Sequence, residues 1–321
     1  MRAKAAVIFM RLFIKNKIIT RYFNDFIDHG DYYEKRSIQK DKLYQEYSFF
    51  QSLPAEIASY YPEVHSFKET EKFSSYWIRK IPVVDTSFLL IDPTENDLLV
   101  QSLIIKVDKY LLSLPHHLVS AEEFKKSVSR EILHKNLERL ELIQKLPSAS
   151  ELNIICHKFG YRDLTEYIHH LNSSIEINML KVQRYTLYFS HGDMCFSNML
   201  IENDELYLID PKGSENPEHN FRPPHYELAK ISQSLHGHYD LINHEMFSIE
   251  DNNKLNIQGL KTFPLTETSF ESVLHRMGTN LQTIRLVEAS LFVSMLPFHQ
   301  DSEKKLKGFL INSLLISSEN L

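Results

Sequence analysis

The sequence predicts an α+β chain of two lobes, a small β-rich N-terminal part and a large, mainly helical C-terminal part. Three observations predict it. Residues 1–36 carry Ile, Phe and Tyr in short runs broken by turn residues. From Thr94 onward apolar residues recur at helical spacing, and a β interlude at 185–210 interrupts the helices.

The N-terminal runs break at Asn16 and at Asp28-His29-Gly30-Asp31, which reads as strands joined by turns. Over Lys40–Leu53, Leu43, Tyr47 and Phe50 fall on one helical face, and Pro54 stops the helix. Ser74–Ile81 reads as a strand ended by Pro82. These elements make an N-terminal lobe over 1–81, a linker over 82–93 and a helical lobe over 94–321. The helical lobe opens on a stripe of Leu98, Leu99, Leu103, Ile104, Val107 and Leu111, between Pro93-Thr94 and Pro115. Further stripes cover 121–145 and 161–182, and helices resume from about 224. Leu281, Ile284, Val287 and Leu291 read as core, and Lys304–Leu315 as a segment docked on the lobe.

Composition excludes several function classes. With 321 residues, 43% hydrophobic and 12% aromatic, the chain can bury a core. A net charge of −6 with interspersed signs argues against a nucleic-acid binder. The chain has 8 glycines, where a usual share would give roughly 22. No G-x-G-x-x-G, G-x-x-x-x-G-K-[ST] or G-x-S-x-G occurs. Cys156 and Cys195 read as reduced thiols of a cytoplasmic protein. No run approaches the ~18 apolar residues of a membrane span. Met1–Arg21 is basic, with Arg2, Lys4, Arg11, Lys15, Lys17 and Arg21 and no acid. Its apolar run Ala5–Met10 is cut by Arg11, so the segment reads as a basic first hairpin rather than a signal peptide.

The chemistry lies in Ser190-His191-Gly192-Asp193-Met194-Cys195-Phe196-Ser197-Asn198, continuing to Leu206-Tyr207-Leu208-Ile209-Asp210-Pro211-Lys212-Gly213. The polar skeleton is H-G-D-x-x-x-x-N, then an Asp closing an apolar run. Met199–Ile201 and Glu205–Ile209 are strand-like and joined across Asn203-Asp204. A hairpin there returns the chain and brings Asn198 and Asp210 to the same end of the sheet. Phosphoryl transfer needs such groups together: oxygen ligands for a hard Mg²⁺ ion, and a carboxylate to take the proton of an attacking hydroxyl.

His191-Gly192-Asp193…Asn198 and Leu208-Ile209-Asp210 resemble the signature of the aminoglycoside phosphotransferase and choline kinase superfamily. The wording is similar to that of phosphotransferase-like proteins of capsular polysaccharide gene clusters. The resemblance implies a bilobal protein-kinase-like fold, ATP and Mg²⁺ as cofactors, and a small-molecule hydroxyl as acceptor. It implies Asp193 as the catalytic carboxylate, Asn198 and Asp210 as metal ligands, and His191 as structural support of the loop. A Lys on a strand, paired with a Glu on the next helix, should touch the nucleotide phosphates, and Lys35 and Glu46 are the candidates. Tyr226-Glu227-Leu228-Ala229-Lys230 resembles the family's Y-D-L-A-K helix start, with Glu227 as anchor of the catalytic loop. Lys212, Arg222, His225 and His236 are acceptor-side candidates by their nearness in sequence.

The chain departs from that pattern in two places. No glycine-rich strand–loop–strand is present, and Lys15-Asn16-Lys17 is the best phosphate-covering turn. Asp210-Pro211 stands where the family has Asp-Phe. The pairs His116-His117 and His169-His170 point in different directions on a helix and make poor metal sites. An aminoglycoside or choline-type kinase is the alternative enzyme, although Glu245, Glu250, Asp251, Glu267, Glu271 and Glu288 make no dense acidic run. A non-catalytic nucleotide-binding scaffold of the same fold is the alternative from another class.

Overall fold

In β2 (Tyr32–Ser37), Tyr33, Lys35 and Ser37 share one face of the strand, and Lys35 is only 1% exposed. The computed structural model describes residues 24–83, 85–91, 97–182, 184–250 and 253–320. The basic Met1–Arg21 segment, the Lys15-Asn16-Lys17 turn, Pro93-Thr94 and Asp251 lie outside the described residues.

β2 pairs with β1 (Asn24–Asp28) across a turn at Gly30, whose φ of +84° suits a residue without a Cβ. With β3 (Val64–Glu69) and β4 (Ser74–Arg79) these strands form an antiparallel sheet in the order β1-β2-β4-β3. Strand β3 had no signal in the sequence; two of its residues register only after a bulge between His65 and Lys68. Helix α1 (Lys40–Gln51) lies against the sheet through Leu43, Glu46, Phe49 and Phe50, which recur every three to four residues.

A short helix α2 (Phe88–Ile91) follows the sheet, and residues before it attach to the helical lobe. The Thr86 N–H donates to Met199 O at 2.9 Å and its hydroxyl to Phe196 O at 3.0 Å. Helix α3 (Asp97–Ser113) buries Val100, Leu103, Ile104, Val107, Tyr110 and Leu111. That corrects the predicted stripe at its first turn: Leu98 and Leu99 are 63% and 47% exposed. The true stripe keeps i, i+3, i+4, i+7 spacing from Val100 and includes Tyr110, whose hydroxyl meets that of Tyr61 at 2.7 Å.

The stripe over 121–145 is two helices, α4 (Ala121–Val128) and α5 (His134–Ile143), joined by a π turn at Ser129–Leu133. Ser120 caps α4, accepting from the Glu123 N–H at 3.1 Å. Helix α6 (Ala149–Lys158) had not been separated in the sequence. Helix α7 (Leu164–Met179) starts at Asp163, which accepts from the Glu166 N–H at 2.8 Å.

The β interlude holds β6 (Thr186–Phe189), sandwiched between β5 (His116–Leu118) and β9 (Phe221–Arg222), and the hairpin of β7 (Met199–Glu202) and β8 (Glu205–Leu208). Asn203 and Asp204 have φ of 51° and 68°, the left-handed pair that a two-residue hairpin turn requires.

Helices α8 (Pro224–Leu235), α9 (Tyr239–Asn243), α10 (Pro264–Arg276), α11 (Leu281–Met295) and α12 (Glu303–Asn320) complete the lobe. An unanticipated hairpin, β10 (Phe247–Ile249) with β11 (Leu255–Ile257), interrupts them. Helix α11 is the centre of the lobe, packed by α5, α7, α8 and α12. Its Ile284, Val287 and Leu291 are buried, and the 304–315 segment lies within docked α12. Leu281–Phe298 is the stretch among the described residues long and apolar enough to cross a membrane, and 67% of it is buried inside the fold. It is accounted for as the core helix.

Candidate active site

Three segments converge: β2 with α1, the loop after β6, and the segment after β8. Lys35 and Tyr76 stand opposite each other in the β2–β4 register, so their side chains share a face. That face meets α1 at Glu46. Lys35 Nζ lies 2.6 Å from Glu46 Oε1 and 2.7 Å from Asp210 Oδ1, and the Tyr76 hydroxyl also donates to Glu46. Burial alone would lower the Lys35 pKa, but Asp210 and Glu46 outweigh it and raise it. Burial pushes the Glu46 carboxyl up. Lys35, Glu46 and Asp210 are thus brought together from positions up to 175 residues apart.

The hairpin carries Asn198 and Asp210 to one end. Met199 pairs with Leu208, and one step further the Ile209 N–H donates to Asn198 O at 3.1 Å. The Asn198 Nδ2 donates to Asp193 O at 2.9 Å, which leaves the amide oxygen for another partner. Asp210 sits at φ 58° with its side chain 45% exposed. One amide oxygen and one exposed carboxylate suit a hard cation that keeps phosphate and water oxygens as its other ligands. No group of three or more His, Cys, Asp or Glu that could hold a metal occurs among the described residues.

His191 is fully buried and bridges the two loops. Its Nε2–H donates to Ile209 O at 2.9 Å, and its Nδ1 accepts from the Asp193 N–H at 3.1 Å. This pattern needs the neutral ring, and burial pushes the pKa down to about 4. Glu227, on the first turn of α8, accepts from the Gly192 N–H with both oxygens, at 3.1 and 3.0 Å.

Burial pushes Glu227 up to about 7 against the Gly192 N–H and Arg222, which favour the charged form. Its folded pKa lies above the unfolded value of 4.5. The resulting stabilisation is therefore complete below about pH 4.5 and lost as pH rises to about 7. Relative to Glu227→Gln, the wild type should lose about 3 kcal/mol between those limits, with no further change above them. Denaturant titrations of both proteins at pH 5 and pH 8 measure it; a pH-independent difference would contradict it.

Two of the few glycines serve this site. Gly192 has φ +82°, and a Cβ there would lie 2.7 Å from Arg222 Nη1. At Gly213 a Cβ would lie 2.0 Å from Gln45 O and 2.7 Å from Phe49 Cβ, so only glycine lets the segment after Asp210 lie on α1. Gly213→Ala should cost about 1–3 kcal/mol and push Asp210 away from Lys35. Chemical denaturation checks the first, and the Lys35–Asp210 distance in a crystal structure of the variant checks the second.

The acceptor-side candidates divide. Lys212 Nζ lies 3.2 Å from the Tyr226 hydroxyl and 3.5 Å from Asp193 Oδ2. Arg222, His225 and His236 are corrections to the sequence reading. Arg222 is 5% exposed and clamps the loops, donating to Ser190 O at 3.1 Å and Lys212 O at 2.7 Å. His225 is 1% exposed beneath Phe124, and burial pushes it down to about 4. His236 packs on Phe270 and Ser232, away from the Asp193 contacts. Closeness in sequence misled because β9 and α8 turn these side chains into the lobe.

Sequence reasoning missed Lys230 as a site residue. Its Nζ lies 3.1 Å from Asp193 Oδ1 and 3.2 Å from Gln233 Oε1. The available signal was its i+3 spacing from Glu227, which places both on the face of α8 under the loop. Tyr76, Tyr226 and Glu131 were missed too, each joined to the site only by tertiary packing. Cys156 and Cys195 are free, buried thiols, both pushed up to about 12 by burial. They are unreactive in that state.

No protein-family model matches the chain, and no curated protein matches it by sequence. Solved structures do. A thermostable mutant of aminoglycoside phosphotransferase APH(4)-Ia in its apo form superposes with a TM-score of 0.50 at 12% identity, covering 96% of this chain and 98% of that one. A variant of the same enzyme in ternary complex with AMP-PNP and hygromycin B gives 0.52 at 10% identity over the same shares. Choline kinase from Cryptosporidium parvum Iowa II covers 98% of this chain and 96% of its own, with a TM-score of 0.41 at 11% identity. At these identities the two aminoglycoside phosphotransferase superpositions, at 0.50 and 0.52, show the architecture alone: the chain has the bilobal α+β, kinase-like fold.

Proposed function

We propose that this chain is an ATP- and Mg²⁺-dependent phosphotransferase acting on a hydroxyl of a small molecule. One observation carries the reading: Lys35 joins Glu46 and Asp210 while the same hairpin ties Asp210 to the loop of Asp193 and Asn198. A fold with a mere binding role has no need of a carboxylate base beside this arrangement.

In the proposed reaction Lys35 holds nucleotide phosphate oxygens, positioned by Glu46 and Tyr76. Asn198 and Asp210 would hold Mg²⁺, which neutralises phosphate charge when bound. Asp193 orients the acceptor hydroxyl and takes its proton. The hydroxyl oxygen bonds to the γ-phosphorus, the bond to the β–γ bridging oxygen breaks, and ADP leaves. Arg222, His191 and Glu227 hold the Asp193 loop in place and touch no reactant.

A sugar, polyol or related building block of a surface polysaccharide is the preferred acceptor, supported by the wording of the Asp193–Asp210 segment. Aminoglycoside or choline acceptors would want carboxylates around Asp193. Glu245, Glu250, Glu267 and Glu271 are exposed elsewhere, and buried Glu288 is bound to Arg285 at 2.6 Å. Lysines flank Asp193 instead.

The test is transfer of label from γ-labelled ATP, with and without Mg²⁺, to sugars, polyols, choline and aminoglycosides. Labelled product from a sugar or polyol supports the reading. Mg·ATP binding with no product on any acceptor supports the scaffold.

A further inference from the structure

The helical-lobe side of Asp193 is crowded with cations. Glu131, on the π turn, is already met by Arg130 at 2.7 Å, Lys135 at 2.9 Å and Arg222 at 3.4 Å. Lys212 and Lys230 both turn to the single carboxylate of Asp193. Tyr226 is the centre of this crowd. The ammonium groups of Lys135 and Lys212 each lie 5.4 Å from its ring centroid. Burial would raise the Tyr226 hydroxyl, yet Lys212, Lys230 and Lys135 hold it below its ordinary value. Lys135 and Lys212 are 40% and 42% exposed at the side chain, so solutes can reach them.

This positive face is separate from the nucleotide contacts. Lys35 bonds to Glu46 and Asp210, whereas Lys212 and Lys230 meet Asp193, and Lys135, bound to Glu131, lies with Lys212 over the Tyr226 ring. Asp193 and Glu131 are two carboxylates among five cations, Arg130, Lys135, Arg222, Lys212 and Lys230. A further anion beside Asp193 would relieve the repulsion among the cations, and a cation would add to it.

We infer that the acceptor is itself an anion: a hydroxyl compound bearing a phosphate or carboxylate, which docks on Lys212 and Lys135 over the Tyr226 ring while its hydroxyl meets Asp193. The inference rests on the phosphotransferase reading of the site. It makes Lys212 and Lys135 the specificity-determining residues for the acceptor, and it makes a polycationic acceptor a poor fit.

The test uses the full chain saturated with Mg·AMP-PNP, so that the nucleotide phosphate contacts are filled. Calorimetric titrations follow with inorganic phosphate, glucose 6-phosphate, glucuronate, neutral glucose and kanamycin. Saturable binding of the anions, and none of glucose or kanamycin, is expected. The phosphate and carboxylate arms tell which oxyanion is preferred. Lys212→Gln should weaken anion binding about tenfold or more, and Lys212→Arg should keep it. Nucleotide affinity and thermal midpoint report whether either variant is folded, and Lys135→Gln repeats the test at a more peripheral position.

Glucose or kanamycin binding as tightly as the anions, no saturable anion binding, or anion affinity unmoved in both Gln variants would overturn the inference. Failure of the underlying reading shows separately, as absence of Mg-dependent AMP-PNP binding at the first step.

Discussion

Asp193→Asn is expected to lower kcat by about a hundred- to ten-thousandfold while leaving the affinity for Mg·ATP within about twofold. The carboxylate lies in the loop, 8% exposed, and its oxygens meet Lys212 at 3.5 Å and Lys230 at 3.1 Å, on the helical-lobe side. Removing its charge therefore removes the proton acceptor without disturbing the groups proposed to hold nucleotide. Asn keeps the shape and the loop hydrogen bonds made by the Asp193 backbone to His191, Cys195 and Asn198. Steady-state rates with a productive acceptor, beside calorimetric nucleotide binding, separate the two effects. Unchanged turnover would remove Asp193 from the mechanism.

Asp210→Asn should have a comparable effect by another route. Asp210 contacts Lys35 and also belongs to the hairpin end shared with Asn198. Without its charge the proposed metal site has two neutral amide oxygens and no carboxylate, and among the described residues Glu46 is the carboxylate left to Lys35. The expected result is a loss of about 10²- to 10³-fold in kcat, together with loss of the gain in nucleotide affinity that Mg²⁺ gives the wild type. The second readout is the diagnostic one. Nucleotide binding that stays Mg-dependent in Asp210→Asn would place the metal elsewhere.

The parts of this site that were readable in the sequence are those joined by local geometry. Asn203-Asp204 forces a two-residue turn, and the turn alone sets Asn198 beside Ile209. Helical spacing likewise put Glu46 on the same face as Leu43 and Phe50, which is the face that packs on the sheet. What was not readable depends on contacts between segments far apart. Lys230 reaches Asp193 across 37 positions, and Glu131, on a π turn inside the predicted helical stripe, meets Arg222 at 3.4 Å. Arg222 looked like a surface cation because its partners are carbonyl oxygens of Ser190 and Lys212, and backbone acceptors leave no sequence signal. Leu98 and Leu99 show the converse error, where apolar residues counted as a stripe are exposed on α3.

The low glycine content has a structural counterpart as well. Gly192 and Gly213 stand where a Cβ would strike Arg222, Gln45 or Phe49, and both let the segments of the candidate site approach closely. Backbone close approach is therefore used at the loop and at α1, in a chain without the usual phosphate-binding glycine motifs.

The most direct measurement is a crystal structure with Mg²⁺ and AMP-PNP bound. Lys35 Nζ is expected to leave Asp210 for a phosphate oxygen while keeping Glu46. Mg²⁺ is expected between Asn198 and Asp210, with the γ-phosphorus facing Asp193. Nucleotide bound away from Lys35, or metal held without both Asn198 and Asp210, would contradict this arrangement.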